Sequence, residues 1–78
     1  MKFWRTIQKI IDTNAEFKVD YHTWLWSQGK KKQQIIEMYI KGHNKIEIAS
    51  ALRINPLKVN KDINEAQRSL ERRIKHGH

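Results

Sequence analysis

Seventy-eight residues with no cysteine and a net charge of +8 make one small domain and exclude a disulfide framework or a thiolate metal site. No window approaches the ~18 apolar residues of a membrane span, and Met1-Lys-Phe-Trp-Arg5 lacks the apolar run of a secretion signal. The expectation is a cytoplasmic protein with no membrane partner, nucleoid-associated if bacterial.

The charge is unevenly spread. Residues 1–29 hold four basic and three acidic side chains, whereas residues 30–78 hold twelve and five. A basic segment attracts polyanions and gains affinity by releasing their counterions. Nucleic acid is the favoured reading over a basic surface that serves solubility alone.

In chain order, residues 3–13 read as a helix, with Phe3, Trp4, Ile7, Ile10 and Ile11 on one face. Asn14 is expected to end it, because asparagine tolerates the left-handed conformation. Residues 14–20 read as a loop. Asp20 is expected to cap a short helix from Tyr21 to about Gln28, which carries Trp24, Leu25 and Trp26 and stops at Gly29.

The next helix runs from Lys30 to Lys41, with Ile35, Ile36, Tyr39 and Ile40 on one face, and Gly42 closes it. Asn44 caps a helix that turns Ile48, Ala49 and Leu52 inward. The turn Arg53-Ile54-Asn55 follows. Asn55 caps the last helix and Pro56 takes its first position, where a missing amide costs nothing. Val59, Ile63, Ala66, Leu70 and Ile74 then form one apolar stripe. The fold class is all-α: a bundle of four to five helices containing a helix-turn-helix. It is a single domain, with aromatic-rich helices over 1–29, a helix-turn-helix over 30–75 and its last helix at about 56–75.

With that stripe inward, Leu57, Lys61, Asn64 and Arg68 point outward. Lys58 and Asn60 flank them near the helix start, and Glu65 and Arg72 further along. A helix in the major groove needs this arrangement: amides bond adenine, basic side chains bond guanine or phosphate, and early residues reach the bases. The Asn55 cap and the helix N-terminus are a further phosphate site. Any amphipathic helix has a polar outer face. The short preceding helix, its small Ala49 and the tight turn favour the DNA reading.

Glu47-Ile48-Ala49, Leu52, Ile54, Val59, Ile63, Ala66 and Leu70 carry a family likeness. Residues 33–72 resemble region 4 of bacterial sigma factors and the domain that ends LuxR-type regulators. There the pattern is Glu-Ile-Ala, two variable residues, Leu-Gly-Ile-Ser, then Val, Leu or Ile, Ala and Leu. Arg53 replaces the turn glycine, which predicts a slightly different or strained turn; Asn55 replaces the serine and caps equally well. The resemblance implies DNA contact at Leu57, Lys58, Asn60 and Lys61, with Asp62 to one side. The chain has no room for a sigma factor's core-binding region or a receiver domain. The resemblance therefore implies a standalone module, of a kind familiar among phage and mobile-element regulators.

All three tryptophans and both phenylalanines lie in the first 26 residues. They are either core or a surface for a partner, such as a second copy in a homodimer or RNA polymerase.

The expected function is thus a non-enzymatic, sequence-specific double-stranded DNA-binding transcriptional regulator with no cofactor. One alternative is an adaptor or inhibitor that binds RNA polymerase or a sigma factor. Another is a DNA-packaging or replication accessory. His22, His43, His76 and His78 are scattered and predict no structural metal site. Ser27, Ser50 and Ser69 lack partners for nucleophilic catalysis.

Overall fold

The computed structural model describes residues 2–76, and no strand occurs among them. Five helices follow in order: α1 Lys2–Thr13, α2 Ala15–Trp26, α3 Lys30–Ile40, α4 Lys45–Leu52 and α5 Pro56–His76. They form the small all-helical bundle that the apolar spacing predicts. No helix is long and apolar enough to cross a membrane.

The start of the chain differs from its reading as a helix, a loop and a short helix. Residues 15–20 are helical, so α2 begins six residues before Tyr21. Asn14 is extended (φ −134°) and does not adopt the left-handed conformation. It starts α2 instead of merely ending α1: its side chain accepts the Phe17 amide at 3.1 Å. Asp20 lies inside α2 and caps nothing. It accepts hydrogen bonds from Arg73 at 2.9 and 3.3 Å, which ties α2 to the far half of α5. A second tie lies nearby, where Trp24 Nε1 donates to Ser69 Oγ at 3.0 Å.

α1 buries Trp4 and Ile7. Trp4 packs edge-to-face on Tyr39 of α3, with ring centroids 6.1 Å apart. Trp24 is also buried, so two of the three tryptophans belong to the core. Trp26 does not: it is 66% exposed, beside Val19 at 68%. Trp4 Nε1 and the Tyr21 hydroxyl are buried with no hydrogen-bond partner. Burial, with a smaller contribution from the Glu37 charge, pushes the Tyr21 phenol up to about 12.

α4 is short but closed at both ends. Asn44 Oδ1 accepts the Glu47 amide at 2.8 Å and Glu47 Oε1 accepts the Asn44 amide at 2.9 Å, a reciprocal cap. Such a cap contributes roughly 1 kcal/mol, which matters to a helix of eight residues.

The ends of α3 and α4 share one hydrogen-bond pattern. After α3, the His43 amide reaches the Met38 carbonyl and the Gly42 amide the Tyr39 carbonyl, both at 3.1 Å. After α4, Ile54 reaches Ala49 at 3.0 Å and Arg53 reaches Ser50 at 3.4 Å. Both are Schellman closures, which need a left-handed residue. Gly42 supplies it at φ 111° and Arg53 at φ 56°, ψ 47°. Arg53 thus makes without glycine the same closure that Gly42 makes after α3, at a backbone cost of about 1 kcal/mol.

Ile35, Ile36, Ile48, Ala49, Val59, Ile63, Ala66 and Leu70 close the core between α3, α4 and α5. Leu52 is half-buried against it. Ile74 was expected to continue the buried stripe but is 38% exposed. α5 has 21 residues, hence roughly 31 Å of length, and its last turn passes beyond the packed part of the bundle.

Candidate nucleic-acid interface

The candidate interface is the outer side of α5, oriented by everything that packs on its inner side. Val59 and Ile63 are fully buried, which fixes the rotation of the helix about its axis. α3 and α4 hold its first half, and the Trp24 and Asp20 ties hold its second. The first turn is rigid for local reasons. Asn55 Oδ1 accepts the Leu57 amide at 2.8 Å, and the Lys58 and Val59 amides reach the Asn55 carbonyl. Pro56 has no amide to satisfy.

This capping changes the phosphate site expected at the helix start. The first-turn amides already have partners, so an anion there would meet the exposed Asn55 Nδ2 group and not a row of free backbone donors.

The outward and flanking residues of α5 then divide by commitment. Leu57, Lys61, Asn64 and Arg68 recur at steps of four, three and four residues, all exposed. Among the described residues, no hydrogen bond or ion pair engages their side chains. They form one unobstructed row. Arg72 continues it, exposed and unpaired, slightly to one side.

The flanking residues are engaged. On the side facing α3, Lys58 Nζ lies 3.3 Å from Asp62 Oδ2. Asp62 is 3% exposed, the one buried charged residue among those described. On the same side Lys32 Nζ meets Glu65 Oε1 at 3.3 Å. Lys31 and Lys58 line one small pocket with Ile35, Leu52 and Ile54. The Lys30-Lys31-Lys32 run therefore lies beside the first half of α5.

On the side facing α4, Lys45 Nζ donates to Asn60 Oδ1. Bidentate pairing with adenine uses Oδ1 and Nδ2 together, so Lys45 competes for the acceptor that such readout needs. Asn64 carries no such competitor.

Sequence spacing could have found the Lys58–Asp62 pair, since residues four apart on a helix are neighbours. It carries no signal for Lys45, which reaches Asn60 only because α4 crosses α5. Among the described residues, no group of three His, Asp or Glu side chains is placed to hold a metal ion. Gly77, His78 and the His76 side chain lie outside the described residues. No family model matches this chain, and neither a curated protein nor a solved structure is similar enough to count as a match.

Proposed function

We propose that this chain is a sequence-specific double-stranded DNA-binding regulator of transcription that lays the first half of α5 in the major groove. The observation that carries this reading is the row Leu57, Lys61, Asn64, Arg68: exposed, unpaired, and set on a capped helix start behind the short helix α4. Leu57 to Asn64 spans roughly 10 Å along the axis, which fits a groove about 12 Å wide. Arg68, one turn further on, meets the phosphate rim. Lys31 and Lys61 add unpaired cations, whereas Lys58 is partly neutralised by Asp62, and the affinity contribution of these charges is screened by salt. The likeness of residues 33–72 to sigma region 4 supports the same orientation, and a cytoplasmic location follows from the function.

The test is Lys61→Ala combined with Asn64→Ala. Both side chains are exposed, so thermal unfolding should stay within about 2 °C of the parent protein. Affinity for a selected duplex should fall at least about tenfold. Unchanged gel-shift binding by the folded double variant would sink the proposed face.

A second reading rests on a different observation. Val19 and Trp26 are about two-thirds exposed on α2 and line one shallow pocket with Lys18, His22 and Thr23. Such a surface suits a protein partner, either RNA polymerase, a sigma factor or a second copy of this chain. Binding through it would depend weakly on salt, whereas DNA binding falls steeply.

A further inference from the structure

Leu57 is 76% exposed, the highest exposure among the large hydrophobic residues described. Its position is fixed from both sides. The Asn55 cap holds its amide at 2.8 Å, Pro56 restricts the backbone just before it, and buried Val59 sets the rotation of the turn. An exposed leucine on a rigid turn projects from a fixed backbone position toward whatever docks there.

Its surroundings narrow the choice of partner. The rest of its row is Lys61, Asn64 and Arg68, and its flanks are Lys58 and Asn60. No second large apolar side chain on this face of α5 joins it; the other exposed aliphatic nearby in the fold, Ile46, belongs to α4. A single apolar group among amides and cations suits a surface that is polar, anionic and carries isolated methyl groups. The DNA major groove is such a surface, and its apolar feature is the C5-methyl of thymine.

We infer that Leu57 reads a thymine C5-methyl and so makes one position of the bound sequence thymine-specific. The inference rests on the DNA-binding reading and deepens it. Cytosine lacks this methyl and presents an N4 amine, which leucine cannot satisfy, so Leu57 would also reject cytosine. The neighbouring Lys61 and Asn64 would read adjacent base edges by hydrogen bonding. The result is a site in which one base is recognised by shape and hydration alone.

The experiment has two stages. Bound duplexes are first selected from a random pool with the parent protein. In the best duplex, each thymine is then replaced by deoxyuridine in turn, which removes the methyl and leaves every hydrogen-bonding group in place. Affinities are compared for the parent, Leu57→Ala and Leu57→Met. At one thymine the parent and Leu57→Met should lose about three- to fivefold, the worth of burying one methyl, and Leu57→Ala should lose nothing. If no thymine shows a methyl dependence in the parent, or if Leu57→Ala keeps it, the inference is overturned while the DNA-binding reading stands. If the pool yields no enrichment and no duplex binds even at low salt, both fall together.

Discussion

Two sets of outward and flanking side chains share the first three turns of α5, and they differ in what they are free to do. Leu57, Lys61 and Asn64 face away from the bundle, and no hydrogen bond or ion pair engages their side chains. Lys58 and Asn60, next in sequence to Leu57 and Lys61, are held by Asp62 and Lys45. A helical projection separates inside from outside by angle, but it gives both sets the same standing. The structure separates them by engagement. A cation paired with a buried carboxylate serves the fold first, whereas a cation with no partner is available to a ligand.

The comparison breaks most easily at Lys58. Asp62 is 3% exposed, and removing its cation leaves a buried charge uncompensated. Lys58→Met should therefore cost about 2–4 kcal/mol of stability, somewhat reduced because the lysine itself is half-exposed and water can reach the pair. Urea unfolding measures this. Adding Asp62→Leu should recover most of the loss, since an apolar pair of similar volume removes the orphaned charge. If Lys58→Met unfolds at the parent's midpoint, Lys58 belongs with the free row.

Arg68 sharpens the other side. Arg68→Ala should leave stability within about 0.5 kcal/mol, as expected for an exposed residue without partners. Its effect should appear in the salt dependence of DNA binding, where the slope of log affinity against log salt should fall by about one. An unchanged slope would remove Arg68 from the row.

Much of this was readable before the structure. Residues 30–76 follow the spacing closely because one stripe of α5 is apolar, its opposite stripe is polar, and each helix carries its own start and stop signals. The first thirty residues were harder. Phe17, Tyr21, Trp24 and Leu25 do share a helical face, but Val19 and Trp26 sit on the opposite face and are exposed. With apolar residues all round, the segment shows no polarity to reveal a helix over 15–20. Ile74 misled for the converse reason: its spacing is right, but the bundle ends before it. In the candidate site the outward row was legible from angles alone. The Lys45–Asn60 contact was not, since it depends on how two helices cross.

The left-handed Arg53 has a consequence for variation. Every arginine codon becomes a glycine codon through a single base change. Glycine adopts φ 56° without strain, so Arg53→Gly should gain about 1 kcal/mol of stability, measurable as a higher unfolding midpoint. A more stable form of this protein is therefore one nucleotide away and arises repeatedly in any growing population. That makes the exposed Arg53 guanidinium a group to test for a role other than folding, since the backbone alone would favour its loss.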